Sequence, residues 1–254
     1  MTSTSSEPPP PPLVSVVVPV RNEEDNILPL IEEIEHALDG RYPFEIVYVD
    51  DGSDDATPLR LREARAVRRH LRSLRHVASC GQSQAVATGV KAARAPLIAT
   101  LDGDGQNDPA DLPAMLARLL EEPADRRDRL MVVGHRRRRR DNLLRRLSSL
   151  FANAVRARLL GDATPDTGCG IKVFSREAFL DLPRFNHMHR FLPALMQRRG
   201  GVVASVAVNH RPRQRGQSKY GLWDRLWVGI VDLLGVMWLQ RRASRPVIDS
   251  ADGD

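Results

Sequence analysis

A rhythm constrains this chain more than any single residue does: short apolar runs, each closed by a polar cluster and followed by a helix-spaced stretch. Leu13 to Val18 leads into Pro19-Val20-Arg21-Asn22-Glu23, and Phe44 to Val49 into Asp50-Asp51-Gly52-Ser53. Pro96 to Thr100 leads into Leu101-Asp102-Gly103-Asp104-Gly105-Gln106. Between the first two runs, Ile27, Leu30, Ile31, Ile34 and Leu38 recur at helical spacing; Asn22 is placed to cap that helix and Gly40 to stop it. Leu71–Val77 is expected as a strand, Gln82–Ala93 and Pro109–Leu120 as helices, and Leu130–Val133 as a further strand. This βαβαβαβ alternation implies an α/β fold, Rossmann-like, with a mainly parallel sheet and helices on both faces. Ligands of such sheets bind outside the carboxyl ends of the strands, so three acidic or polar clusters converge on one edge.

Asp102 and Asp104, separated by one glycine at a strand end, can reach one hard cation together, with Gln106 adding a neutral oxygen. Mg²⁺ or Mn²⁺ held by so few protein oxygens keeps positions free for phosphate. An Asx-rich turn uses the same residue types, so the spacing alone leaves both readings open. No Gly-x-Gly-x-x-Gly follows the first strand and no Gly-Lys-Ser/Thr occurs, which disfavours dinucleotide binding and P-loop hydrolysis.

The 254 residues carry 38 Lys and Arg against 32 Asp and Glu, a net charge of +6 that points toward anionic partners. Two cysteines, Cys80 and Cys169, make no disulfide framework, and His187, His189 and His210 lack zinc-site spacing. Residues 1–12 read as a disordered Pro-rich tail without the basic residues of a signal peptide. The expected organisation is a catalytic domain over 13–220, an amphipathic helix over 221–242 and a tail over 243–254.

The runs 16–24, 49–55 and 101–106 resemble the family 2 glycosyltransferases of GT-A fold. Gly134-His135-Arg136, Arg145 with Ser149, Asp166 to Phe174 and Arg213 to Tyr220 narrow the resemblance to the polyprenyl-phosphate branch. That branch is dolichol-phosphate mannosyltransferase-like and includes enzymes that charge undecaprenyl phosphate with aminoarabinose or a uronic acid. The resemblance implies a nucleotide-sugar donor, a polyprenyl phosphate acceptor, a divalent metal and inversion at the sugar. Pro19, Arg21, Glu23 and Asp51 match nucleoside-binding positions; Asp102, Asp104 and Gln106 match the metal and diphosphate site. Arg136, Arg145, Ser149, Arg213, Ser218 and Lys219 match groups that bind donor diphosphate and lipid phosphate, and Arg136, Arg213 and Lys219 join the two aspartates as expected catalytic residues.

Elementary chemistry agrees. An acceptor hydroxyl needs a general base; an acceptor phosphate, with a second pKa of about 6, does not. The difficulty becomes bringing two anions together, which is work for Arg and Lys. The arginines 136–140 form either a solvated loop or a patch for acidic lipid headgroups, next to an amphipathic helix expected over Asp141–Leu160. Residues 213–219 make a flexible cationic loop able to close over a ligand. In the last helix, about Leu222 to Arg241, Trp223, Trp227 and Trp238 share a side with Leu226, Ile230 and Leu234, while Arg225 and Asp232 point away. Asp232 interrupts the apolar stretch, so an interfacial helix at the cytoplasmic membrane face, or a helix packed on the domain, is expected rather than a span. Two alternatives stand beside this reading: a family 2 transferase with a polysaccharide or soluble sugar acceptor, and a non-catalytic polyanion-binding protein. Nucleic acid is disfavoured as a partner, because carboxylates at the ligand edge would repel it.

Overall fold

The computed structural model describes residues 10–136, 156–162, 164–212 and 222–244. The expected alternation is present as β1 (Val14–Val20), α1 (Ile27–Leu38), β2 (Phe44–Asp50), α2 (Thr57–Val67), β3 (Leu71–Arg75), α3 (Gln82–Ala92) and β4 (Leu97–Thr100). A 3-10 turn at Pro109–Asp111 leads into α4 (Leu112–Leu120) and β5 (Leu130–Arg136). Beyond the elements read from sequence come β6 (Lys172–Ser175), α5 (Arg176–Leu180), α6 (Leu192–Arg199) and β7 (Val202–Val208), and the expected last helix is α7 (Leu222–Arg241).

The seven strands lie in the order β3-β2-β1-β4-β6-β5-β7, forming the mainly parallel sheet. Six run in one direction; β6 alone is reversed, with Thr100 opposite Lys172 on β4 and Val133 opposite Lys172 on β5. The strand order turns back between β1 and β4, the switch point at which open α/β sheets bind ligands. Reversal of β6 brings its first residue, Lys172, to the same edge as the ends of β4 and β5.

β1 shows why these residues make a central strand. Val14, Val16, Val18 and Val20 face one core with α1, α2 and α4, while Val17 faces the other with α3, α5 and α6. A run buried on both faces has no polar alternation, as parallel strands require. The apolar stripe of α1 is wholly buried, as its spacing predicts.

One local expectation fails. Asn22 does not cap α1, which starts at Ile27 with no acidic residue in its first turn. Asn22 adopts φ +55, its backbone N–H donates to Ser53 Oγ at 2.9 Å, and its side chain bonds Asp54. Tertiary stitching between the β1 and β2 loops displaces the local cap, so residues 21–26 form a loop at the sheet edge.

α7 packs one face on the domain, as one of the two expected alternatives has it, and leaves the other exposed. Val236 is buried, Leu233, Met237 and Leu239 pack on the core, and Gln240 Nε2 donates to the Leu160 carbonyl at 2.9 Å. Asp232 faces inward, 3.0 Å from His187 Nδ1. Ile230, Val231, Leu234 and Trp238 form the opposite face, 39, 65, 57 and 59 % exposed. The Trp223 and Trp227 side chains lie outside the described residues, as do most of the expected helix 141–160 and the loop 213–219. No helix among the described residues is long and apolar enough to cross a membrane.

Candidate active site

Asp51 follows β2, and the loop after β3 builds a cradle around it. Its carboxylate accepts from the backbone N–H groups of Cys80 and Gly81, each at 2.8 Å, and from Ser79 Oγ at 2.7 Å. His76 Nδ1 lies 2.7 Å away and the His76 Nε2 edge reaches Thr88 Oγ1 at 2.9 Å. Burial would raise the Asp51 carboxyl, but these hydrogen bonds hold it below the usual carboxylate range. Gly52, at φ +70, makes the turn possible: a Cβ there would meet Ser79 N at 2.8 Å. Arg21 Nη1 donates to Ser79 Oγ at 3.0 Å, and the Glu23 backbone N–H to Thr57 Oγ1 at 2.9 Å. Arg21, Glu23 and Asp51 therefore occupy one stitched pair of loops, with Pro19 opposite Val49 in the β1–β2 register. Asp51, His76 and Cys80 also place three potential metal-ligand atoms within 4.8 Å of one another. Both His76 ring nitrogens and both Asp51 oxygens already have partners, so this trio reads as a hydrogen-bonded cradle.

The loop after β4 presents the second acidic group. Asp102 Oδ1 accepts from Gln82 Nε2 at 2.8 Å, and the Asp102 backbone N–H donates to Asn107 Oδ1 at 3.0 Å. Asp104 Oδ1 accepts the Gln106 backbone N–H at 3.1 Å. Burial and then the charge of Asp104 raise the Asp102 carboxyl above its ordinary value, against the opposing pull of Lys172 and the Gln82 hydrogen bond. Two hard oxygen groups held close enough to repel one another suit a divalent cation, whose charge relieves that repulsion. Gly170 lies directly against this loop. A Cβ on it would overlap the Asp102 carboxylate and come within 2.7 Å of Asn107 Oδ1.

Across β4 and β6 the site changes sign. Arg136, expected to face phosphate, is held by Asp166 through a bidentate pair, Nε to Oδ2 at 2.5 Å and Nη2 to Oδ1 at 2.7 Å. Burial would lower its pKa, but Asp166 keeps it raised. Arg145, Ser149, Arg213, Ser218 and Lys219 lie outside the described residues. Next to that last group, Arg211 anchors the chain. Its N–H donates to the Gln106 carbonyl at 3.0 Å, and its guanidinium reaches Glu33 and Asp108, each at 2.7 Å.

Four residues with no role assigned from sequence complete the site. Lys172 is buried and donates to the Cys169 carbonyl; burial lowers its pKa against the raising influence of Asp102. Arg156, His189 and Arg190 line the same cavity as Lys172 and Asp102. None has a local signature, because the reversed β6 and the 3-10 turn at Met188–Arg190 bring them together from distant points of the chain. The Asp-Thr-Gly-Cys-Gly-Ile-Lys run was the one available signal for Lys172.

The profile of glycosyl transferase family 2 matches residues 15–182. The dodecaprenyl-phosphate galacturonate synthase of Rhizobium johnstonii is 40% identical over 244 residues, covering 92% of this chain and 69% of that protein. The undecaprenyl-phosphate 4-deoxy-4-formamido-L-arabinose transferase of Proteus mirabilis is 32% identical over 210 residues, covering 82% of this chain and 62% of that protein. The chain thus spans roughly two thirds of the length of such relatives. Among solved structures, glucosyl-3-phosphoglycerate synthase from Mycobacterium tuberculosis, in complex with Mn²⁺, UDP and glucosyl-3-phosphoglycerate, superposes with a TM-score of 0.65 at 19% identity. That match covers 90% of this chain and 80% of the neighbour, and shows a shared fold.

Proposed function

The chain belongs to glycosyl transferase family 2, and from that premise we propose that it transfers a sugar from a nucleotide-diphosphate donor to polyprenyl phosphate, with inversion. Relatives acting on dodecaprenyl and undecaprenyl phosphate support the acceptor. The observation that carries the reading lies at β4–β6, where the Asp102 loop meets a cavity with Arg156, Lys172 and Arg190 on its walls.

In this reading the Asp51 cradle with Pro19, Arg21 and Glu23 holds the nucleoside. Asp102, Asp104 and Gln106 would hold Mg²⁺ or Mn²⁺, which supplies Lewis-acid neutralisation of the departing diphosphate. Asp102 is the one carboxylate among the described lining residues of the cavity; nearby Asp166 is held by Arg136 and Asp162 lies 3.1 Å from Arg156. A hydroxyl acceptor would need a free carboxylate base, and these are committed elsewhere. A phosphate acceptor is largely a dianion at neutral pH and needs cations instead. That contrast favours polyprenyl phosphate over a polysaccharide or soluble sugar acceptor. Arg145, Ser149, Arg213, Ser218 and Lys219 join Arg136 as its proposed phosphate ligands. The exposed apolar face of α7 supports peripheral attachment at the cytoplasmic membrane face, where the lipid carrier is reached. The named relatives move an acidic sugar in one case and an uncharged one in the other, so their names leave the charge of the sugar open.

The test is a nucleotide-sugar panel with Mg²⁺ or Mn²⁺ and undecaprenyl phosphate, read by mass detection of lipid-phosphate sugar. Metal-dependent product from the native chain, and a loss of roughly a thousandfold in Asp104→Ala, is the expected result, since metal stabilisation amounts to several kcal/mol. Donor hydrolysis without any lipid product would remove polyprenyl phosphate as the acceptor.

A further inference from the structure

The Asp102–Gln106 loop is held from two directions. Gln82 and Asn107 fix Asp102, while the Gln106 end is clasped by residues 209–211, which arrive from beyond β7. The Arg211 backbone N–H donates to the Gln106 carbonyl at 3.0 Å, and Asn107 and His210 face one another in an isolated antiparallel bridge. The Asn209 backbone N–H donates to Asp111 Oδ2 at 2.7 Å. The Arg211 guanidinium then forks. Its Nη1 donates to Glu33 Oε2 on α1 and its Nη2 to Asp108 Oδ1, each at 2.7 Å.

A cavity of about 90 Å³ lies between this loop and α1, with Leu30, Glu33, Asp104, Gly105 and Arg211 on its walls. The Arg211–Glu33 pair crosses that gap. Gly105, at φ +72, stands between Asp104 and Gln106, so these two are joined through the residue type with the most backbone freedom. Side-chain oxygens on either side of a glycine keep a fixed separation where both flanks are held. The Gln106 backbone N–H, donating to Asp104 Oδ1, supplies one hold; the Arg211 clasp supplies the other.

We propose that Arg211 is a positioning residue for the divalent cation: by forking between Glu33 and Asp108 it sets where Gln106 stands relative to Asp102 and Asp104. The inference rests on the reading that these three residues hold the metal. Arg211 can influence a nearby cation in two ways, and they have opposite signs. Its positive charge repels a cation, so removing that charge alone strengthens binding. Its fork orients the ligand loop, and losing an outer group that orients metal ligands weakens binding by about 10- to 100-fold. A partly exposed ion pair adds little to stability because solvent screens it, so the consequence of this fork lies in geometry.

In the experiment Mn²⁺ alone is titrated into the full chain and its free fraction is followed by electron paramagnetic resonance, without nucleotide or lipid. The native chain should bind Mn²⁺, and Asp104→Ala should lose it. Arg211→Gln should weaken binding about tenfold, and Arg211→Lys, whose ammonium lacks the fork, by less. Arg199→Gln is the matched control. Arg199 forks between Asp128 and Asp181 near the start of β5, at the opposite end of the strands, so its loss should leave the affinity at the native value. Unchanged or tighter binding in Arg211→Gln, an affinity order other than native, Lys, Gln, or an equal loss in Arg199→Gln would overturn the role of Arg211 and leave the metal site standing. No Mn²⁺ bound by the native chain, or binding untouched in Asp104→Ala, would remove the metal site itself and this inference with it.

Discussion

The two sides of the sheet edge are built by opposite rules. On the proposed donor side, β1, β2 and β4 are parallel, and Pro19, Arg21, Glu23, Asp51, Asp102 and Asp104 each sit within a few positions of a strand end. On the proposed acceptor side, β6 runs backward, and Arg156, Lys172 and His189 reach one cavity from separate elements. The proposed donor side satisfies its carboxylate Asp51 with four hydrogen-bonding partners, whereas across β6 Arg156 Nε and Nη2 have no hydrogen-bond partner inside a cavity. In the proposed function the satisfied cradle holds the nucleoside, and the cavity with unpaired donors is left for a ligand to complete.

The contrast predicts where substitutions act. Gly170→Ala strikes a point at which the two sides touch, since its Cβ would overlap the Asp102 carboxylate. A displacement of this kind costs on the order of a hundredfold in kcat, with both substrates affected. Steady-state kinetics at saturating donor checks it, and a change confined to the acceptor KM would mean the sides are independent. Asp51→Asn should be milder and one-sided. Weakening charge-assisted hydrogen bonds by about 1.4 kcal/mol raises the donor KM roughly tenfold and leaves the acceptor KM unchanged.

The smallest effect separates the sides by pH. His189 has its folded pKa depressed from 6.5 to about 3, so the unfolded chain takes up its proton first as pH falls. Its stabilising contribution is complete above 6.5 and shrinks through the window from 6.5 to 3, with about 0.8 kcal/mol lost at pH 6. Asp51 is depressed below the ordinary carboxylate value of 3.8, so its contribution is lost only under stronger acid. Hydrogen exchange should therefore show residues 187–192 loosening before the Asp51 loop. Simultaneous loosening would remove the distinction.

The same division explains what was legible in the sequence. Strands β1, β2 and β4 announce themselves by apolar runs, and their loops by clustered acids, because both signals are local. The Asn22 cap was misplaced because its partners, Ser53 and Asp54, belong to another loop. Lys172, Arg156, His189 and Arg190 were illegible as a group, because only the reversal of β6 makes them neighbours. In α7 the periodicity separated Asp232 from the Ile230, Leu234 and Trp238 face, but only contacts with distant residues such as His187 and Leu160 show which face meets the domain.

The late arrival of β6 has a consequence during synthesis. β4 ends at Thr100 and its partner begins at Lys172, 72 residues later. At about 5–20 residues per second, that interval lasts on the order of 4–14 seconds on the ribosome. Throughout it Leu97, Ile98 and Ala99, all buried in the finished sheet, present an unpaired edge to the cytosol, the geometry that recruits foreign strands. Nascent chains stalled between residues 100 and 172 are accordingly the ones that should require a holding chaperone.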